Sequence, residues 1–214
     1  MFKISKTLRF WIIGTFTCLF LTGLFSTVGG RAIASLSFST ARPTLQMEAD
    51  RFLGQALTAN LQQSQAVLLA QGTAGTSLKS YVAVMSEDNV VASSPTTMAR
   101  GAVGAALSGN RLIVRGSFKR LSSAPRNYAT DPVNPPNSDI TSAFHIHQGA
   151  PSENGPFQYA LDVNLDDTDR GGRAMGEYTL TPEQMQALAD GRLYVDIHTT
   201  QNRGGELRGT LMPY

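Results

Sequence analysis

The sequence predicts an all-β domain, an antiparallel Greek-key sandwich or barrel, for most of this 214-residue chain. After residue 76, short apolar and β-branched runs alternate with turns rich in glycine, proline, asparagine and aspartate, which is the pattern of antiparallel strands. One short helix with clear start and stop signals is inserted near the C-terminal strands. With 42% hydrophobic residues, the chain can bury one core.

The N-terminus has the pattern of a secretory signal peptide. Basic residues precede an uncharged apolar run from Trp11 to Val28, and small residues lead up to Ala34. We therefore predict a signal peptide over residues 1–34, cleavage after Ala34, and a secreted or periplasmic protein. The alternative is an uncleaved segment that anchors the protein in the membrane, because this run approaches the ~20 residues that cross a bilayer.

Charge and cysteine content narrow the possible partners. The whole chain has 18 basic and 16 acidic residues, and cleavage would remove four basic residues and no acidic one, leaving 14 against 16 and a formal charge of −2. A nucleic-acid-binding protein needs a clustered positive surface, so we expect no nucleic-acid partner. The single cysteine, Cys18, lies in the apolar run, so the cleaved protein would contain no disulfide.

Residues Pro43 to Leu61 predict an amphipathic helix with Thr44 as its cap. Its apolar positions recur at spacings of three and four: Leu45, Phe52, Leu53, Ala56, Leu57 and Leu61. Such a helix could pack on the domain or on a partner, or form a stalk between membrane and domain. Because a glycine-rich stretch follows, we assign residues 35–75 to this helix and a linker, and 76–214 to the β domain.

The predicted strands are short and bounded by turn residues. They cover Ser80–Ser86, Gly101–Gly109, Arg111–Leu121, Ser142–Gln148, Phe157–Asn164, Gly172–Leu180, Arg192–Thr199 and Gly205–Met212. The inserted helix has a capping box formed by Thr181 and Gln184, with Pro182 in its first turn and Gly191 at its end. Its apolar face, which should cover the sheet, consists of Met185, Leu188 and Ala189.

Two of the three histidines lie one residue apart on a predicted strand, in the stretch "FHIHQ". Side chains alternate across a strand, so Phe144 and Ile146 point to the core while His145 and His147 project from the opposite face. The strand Arg192–Thr199 repeats this arrangement. Its residues on the face away from the core are Tyr194, Asp196 and His198.

If these two strands are neighbours, three imidazoles and a carboxylate converge on one patch. Cu(II) and Zn(II) favour such a set, so we predict that His145, His147 and His198 are metal ligands. Asp196 would be a fourth ligand or the acceptor that fixes an imidazole tautomer. The simpler alternative is that the histidines are polar residues of a half-exposed sheet face that bind no metal.

Other polar residues have structural explanations. Gly149, Gly155, Gly204 and Gly205 are expected at turns with positive φ. Glu206 and Arg208 share a face of the last strand and could form a partly buried ion pair, and the amide of Asn202 could stabilise its own turn.

Two loops are conspicuous in the sequence. The loop from Arg126 to Asp139, with three prolines and three asparagines, should be irregular and exposed, and could form a wall of the site. The acidic run from Asp162 to Gly172 offers oxygens for calcium but lacks the order of the best-known calcium loop. We interpret this run as a solvated hairpin tip.

Two stretches together resemble a known family. They are "AFHIHQGAPSENGPFQYAL" and "LTPEQMQALADGRLYVDIHTTQNRGGELRGTL", and they are similar to the CHRD domain, the module named after chordin and found in secreted bacterial proteins. The resemblance covers residues 76–214 and implies an all-β, Greek-key-like, exported domain without a known reaction, while chordin itself binds growth factors. Arg203 stands where the family commonly has proline, and the proline-rich loop before His145 is an insertion.

Three functions follow from these patterns. The preferred one is a non-catalytic, exported binding protein of the cell envelope that holds copper or zinc, with an envelope protein or a glycan as a further candidate partner. The second is a copper-dependent redox enzyme with geometry like that of superoxide dismutase. The third is a protein- or glycan-binding module without metal. The absence of a nucleophile elbow and of a phosphate loop argues against other enzyme classes.

Overall fold

The structure is a computed structural model that describes residues 41–72, 77–91 and 93–214. The predicted signal peptide, its cleavage site after Ala34, and Cys18 lie outside these residues. No helix in the described part of the chain combines the length and the apolar character needed to cross a membrane.

The described strands form two antiparallel sheets, which confirms the predicted all-β sandwich. The larger sheet has the order β10-β1-β2-β3-β7-β6, and the smaller has the order β5-β4-β8-β9. Non-consecutive neighbours such as β3 and β7, or β4 and β8, require connections that cross between the sheets, as Greek-key folds have. The strands are β1 (Leu78–Met85), β2 (Arg100–Ser108), β3 (Arg111–Lys119), β4 (Phe144–Gln148), β5 (Phe157–Ala160), β6 (Asp162–Leu165), β7 (Gly172–Thr179), β8 (Leu193–Ile197), β9 (Leu207–Thr210) and β10 (Met212–Pro213).

Two segments that the sequence predicts as single strands are each divided between the sheets. The segment Phe157–Asn164 breaks at Leu161 into β5 and β6, and the last strand breaks at Leu211 into β9 and β10. Both leucines are fully buried in the core. Because the apolar side chain at each corner fills the space between the sheets, the alternating pattern runs through the break and hides it.

The core lies between the two sheets. Phe118 of β3 and Phe144 of β4 meet there with ring centroids 6.0 Å apart. Val103 and Leu112 of the larger sheet and Val195 of the smaller sheet are fully buried in the same cluster. Hydrophobic burial of this kind is the main driving force for the fold.

Helix α1 (Ala41–Ala70) packs on the face of the larger sheet that points away from this core. The amide of Asn60 donates to the carbonyl of Ala102 at 2.9 Å, and the hydroxyl of Ser64 donates to the carbonyl of Gly104 at 2.8 Å. A Cβ on Gly104 would lie 2.2 Å from the backbone nitrogen of Leu61, so glycine is required for this close approach.

The packing of α1 explains where its prediction differs from the structure. Thr44 lies inside the helix and is not its cap, and the helix continues past Leu61 because Asn60 and Ser64, which interrupt the apolar stripe, take backbone partners on the sheet. The helix and both sheets form one compact unit.

Helix α2 (Pro182–Ala189) confirms the predicted capping box. The backbone N–H of Gln184 donates to the Thr181 hydroxyl, and the backbone N–H of Thr181 donates to the side-chain oxygen of Gln184. Gly191 ends this segment with a φ of 67°. The predicted face is wrong at one position: Ala189 is exposed, and Ala187 is buried beside Leu188 in its place.

Candidate metal centre

Strands β4 and β8 lie side by side and antiparallel, and their register sets the site. His145 is opposite Asp196, and His147 is opposite Tyr194, so these side chains share one face. His198 follows the end of β8, and its backbone N–H donates to the carbonyl of Ala143 at 2.9 Å, which keeps it beside β4. One ligand atom from each of His145, His147, Asp196 and His198 lies within 4.8 Å of the others.

Each imidazole is held by a backbone carbonyl on the side away from this centre. The contacts are His145 Nε2 to Ser142 O at 2.6 Å, His147 Nδ1 to Gly155 O at 3.1 Å, and His198 Nδ1 to Arg203 O at 2.9 Å. A carbonyl oxygen can only accept, so the ring nitrogen at each contact carries the proton. In the neutral ring the other nitrogen then presents a lone pair to the centre, as in metal-binding histidines.

Three of the four inner atoms have no hydrogen-bond partner in the described part of the chain. Asp196 Oδ1 lies 3.2 Å from His147 Nε2, 3.2 Å from His198 Nε2 and 3.7 Å from His145 Nδ1. Within the described residues, His147 Nε2, His198 Nε2 and Asp196 Oδ1 are buried and make no contact with hydrogen-bond geometry. Buried polar atoms are normally paired, so this group of atoms could hold a cation.

Burial and charge shift the pKa values of the cluster in the direction of an ionised carboxylate. Burial lowers the pKa of His145 to about 4, so this ring is neutral at pH 7. Burial works to raise the pKa of Asp196, but His198 and His147 outweigh it and hold that pKa well below its ordinary value. Burial alone would lower the pKa of His198, and the charge of Asp196 raises it instead.

Aromatic side chains enclose the cluster. Tyr194 stacks on His147 with ring centroids 5.1 Å apart and an angle of 6°, and Phe157 meets His145 edge-on at 5.4 Å. Tyr128 lies 5.4 Å from His145, ring centroid to ring centroid. The face of the sheet opposite the core is therefore covered, and His145 is only 2% exposed.

The predicted wall is present. Tyr128 belongs to the loop from Arg126 to Asp139, and this loop is tied down by Asp131, which accepts from Arg126 Nε at 2.9 Å and pairs with Arg203. Arg203 also supplies the carbonyl that holds His198. Arg203 thus connects the proline-rich loop to the site.

Of the four turn glycines predicted to have positive φ, Gly205 confirms the prediction and the other three do not. Gly205 has a positive φ of 119°, but Gly149, Gly155 and Gly204 do not. Gly155 is required for close approach, because a Cβ there would lie 1.8 Å from the carbonyl oxygen of Gln148. This contact keeps the Gly155 carbonyl against His147.

The predicted ion pair between Glu206 and Arg208 is wrong. Glu206 is fully buried and accepts hydrogen bonds from Thr97, Ser122, Thr199 and Asn202. The Arg208 guanidinium donates instead to Ala150 O, Glu153 O and Asn154 Oδ1. Arg208 also lies 3.5 Å from the ring centroid of Tyr194. Glu206 and Arg208 therefore contact different loops, because each loop offers several hydrogen-bond partners.

The amide of Asn202 stabilises its own turn, as predicted, because it donates to Glu206 Oε2 at the end of that turn, and it also donates to Ser122 Oγ of another loop. The acidic run is an exposed hairpin tip between β6 and β7, as predicted, in which Asp166 Oδ1 accepts from the backbone of Thr168 at 2.9 Å.

Sequence reasoning did not find the carbonyls that hold the imidazoles or the position of Tyr128 against them. A backbone carbonyl carries no residue-type signal, and the position of Tyr128 depends on a loop without periodicity. The usable signal is indirect: a long proline-rich loop directly before the histidine strand.

The family model of the CHRD domain matches residues 81–211. The chain belongs to the CHRD-domain family. The matched part contains all four residues of the candidate centre and extends from within β1 through β9, whereas α1 precedes the CHRD domain. Neither a curated protein nor a solved structure matches this chain.

Proposed function

We propose that this CHRD domain is a non-catalytic binding module that holds one copper or zinc ion on His145, His147, His198 and Asp196. The observation that carries the proposal is that the two nitrogens of each ring have different surroundings. The outer nitrogens are held by carbonyls, whereas inner atoms of the cluster are buried and unpaired. A bound cation would satisfy all of them together.

The donor set and its dimensions support this choice of metal. Three imidazole nitrogens and one carboxylate oxygen suit zinc and copper, and the set contains no sulfur ligand that would select Cu(I). Ligands about 2 Å from a tetrahedral ion lie roughly 3.3 Å from one another. The distances of 3.2 Å from Asp196 Oδ1 to His147 Nε2 and to His198 Nε2 agree with that value.

The number of protein ligands supports a site that binds a metal ion without catalysing a reaction. Structural zinc sites use four protein ligands, whereas catalytic sites keep one position open for water or substrate. Here four side chains of the protein supply a full tetrahedral set, and Tyr128, Tyr194 and Phe157 surround it. A tetrahedral ion in this place would have all four of its positions filled by the protein.

The test is calorimetric titration of the metal-free protein with zinc and with Cu(II). We expect binding of one ion with micromolar or tighter affinity, and its loss in His147→Ala and Asp196→Asn. The matched control is Asp167→Asn, which removes an exposed carboxylate of the acidic hairpin tip. Binding that persists in both cluster variants would reject the assignment. Superoxide consumption by the copper-loaded protein would reject the non-catalytic function.

We further propose that the protein is exported to the cell envelope, with cleavage after Ala34. The basic start, the apolar run and the small residues before Ser35 support this proposal. Intact-mass measurement of the protein recovered from expressing cells should give a chain that begins at Ser35. A full-length mass in the membrane fraction would favour the anchored form.

A further inference from the structure

A second candidate site lies in a cavity of about 670 Å³. Its walls come from residues 96–98, from residues 119–122 at the end of β3, and from the β6–β7 turn, so it is separate from the histidine cluster. Cavities of roughly 300–1,000 Å³ are the usual size of small-molecule sites.

Three basic side chains line this cavity: Lys119, Arg120 and Arg170. The Lys119 ammonium lies 4.2 Å from the ring centroid of Phe52, a cation–π contact that leaves the charge without a carboxylate. Arg120 reaches Glu48 at 3.6 Å, but their side chains are 41% and 62% exposed, so this surface pair is weak. The Arg170 guanidinium has no carboxylate partner within the described residues.

The wall also carries one acidic residue, Asp166, so its lining has three positive charges and one negative charge. Asp166 directs Oδ1 to Thr168, from which it accepts a backbone bond at 2.9 Å and a hydroxyl bond at 2.5 Å. Burial and the neighbouring charge of Arg120 lower the pKa of Lys119, and the opposing effect of Glu48 is smaller. Lys119 and Arg120 therefore repel each other at this cavity, and an anion between them would relieve the repulsion.

The backbone at the cavity is strained. Within the described residues, the non-glycine residues with positive φ are Arg120, at 59°, and Asp169, at 53°. Arg120 lines the cavity, and Asp169 lies between the lining residues Thr168 and Arg170. Left-handed backbone is costly for the long side chain of Arg120, whereas aspartate adopts it readily in turns, and such strain collects at functional sites. The two segments are joined by the hydrogen bond from Leu121 N to Arg170 O at 2.9 Å.

We propose that this cavity binds a small molecule that carries an oxyanion on a body of about monosaccharide size, with Arg120, Arg170 and Lys119 as the anion ligands. Guanidinium groups match phosphate, sulfate and carboxylate oxygens with paired hydrogen bonds. Thr96, Met98 and Leu121 line the rest of the cavity and offer polar and apolar contacts to the uncharged part of the ligand. This site does not depend on the proposed metal centre.

The first test is calorimetric titration of the full chain with glucose 6-phosphate, glucuronic acid and glucose. We expect a Kd below about 1 mM for at least one of the two anions, and no binding of glucose. Arg170→Gln should raise that Kd about tenfold, the effect of losing one charged contact. Arg192→Gln is the matched control, because Arg192 is exposed and lies outside the cavity. The tighter anion identifies phosphate or carboxylate as the favoured group.

A second variant separates ligand binding from folding. Arg120→Gly removes the charge and places glycine where the backbone is left-handed. We expect binding to weaken about tenfold while the Tm stays unchanged or rises, because the strain is relieved. A residue kept only for structure would instead lower the Tm when it is replaced.

The proposal is overturned if neither anion binds at concentrations up to about 10 mM. It is also overturned if Arg170→Gln and Arg120→Gly bind the anions as tightly as the unmodified protein. Weakening by Arg192→Gln equal to that by Arg170→Gln would show general charge attraction and would reject the cavity as the site.

Discussion

Two buried polar clusters lie at the smaller sheet, one around Glu206 and one formed by the histidines and Asp196. They differ in whether their polar atoms have hydrogen-bond partners. Both oxygens of Glu206 are saturated, with bonds of 2.6–3.2 Å from donors on Thr97, Ser122, Thr199 and Asn202. The histidine cluster holds only its outer nitrogens and leaves inner atoms facing one another. A cluster that serves the fold satisfies its own groups, whereas one that serves a ligand leaves groups for that ligand.

The largest expected effect is on the saturated cluster. Glu206→Gln replaces one acceptor oxygen by an NH₂ group, which would face donors and could not accept their hydrogen bonds. We expect it to lower the free energy of unfolding by about 3 kcal/mol, the upper value for a hydrogen bond to a charged group. Urea unfolding measures this change. Glu177→Gln is the control, since Glu177 forms an exposed pair with Arg111 and should cost less than about 1 kcal/mol. Equal costs for the two variants would remove the contrast between the clusters.

The metal should stabilise the unsaturated cluster. At a free concentration 100 times the Kd, zinc should raise the free energy of unfolding by about 2.7 kcal/mol and the Tm by roughly 5–10 °C. Asp196→Asn should abolish this increase, while Glu206→Gln, although less stable, should keep it. Thermal unfolding with and without zinc measures both. A zinc-dependent shift that survives Asp196→Asn would place the ion elsewhere.

The pH dependence distinguishes the clusters further. Burial works to raise the pKa of Glu206, but hydrogen bonds from Thr97, Ser122 and Thr199 outweigh it and lower the pKa below the ordinary 4.5. The carboxylate's stabilisation is therefore complete above pH 4.5 and is lost as the pH falls through the folded-state pKa. The stability difference between the unmodified protein and Glu206→Gln should stay constant at neutral pH and shrink in acid. Urea titrations across that range would contradict this if the difference grew.

The smallest effect concerns the loop that covers the candidate metal centre. Asp131→Asn weakens the ties from Arg126 and Arg203 that hold Tyr128 against the histidines. Partly exposed pairs contribute up to about 1 kcal/mol, so we expect zinc to dissociate about five times faster. Stopped-flow release to a chelator measures the rate. Asp139→Asn, in the same loop but without side-chain partners in the described structure, should leave the rate unchanged.

Sequence-based prediction succeeded where the deciding interactions are local. The capping box of α2 joins Thr181 to Gln184 within one turn, so residue types three positions apart suffice to predict it. It failed for Glu206, because that carboxylate's donors come from loops more distant in the chain, and charge alone suggested Arg208. It also missed the strand breaks at Leu161 and Leu211, because alternation continues through a corner when both halves face one core.

What the sequence by itself determined is the fold class and the face on which each histidine lies, because strand alternation is a property of the local backbone. The tertiary structure decided that His145, His147, His198 and Asp196 meet, since that depends on the pairing and register of β4 with β8. It also decided which ring nitrogens point inward, because carbonyls from three different loops hold the other ones. Residue types encode the ligands, but only long-range packing places their lone pairs at one point.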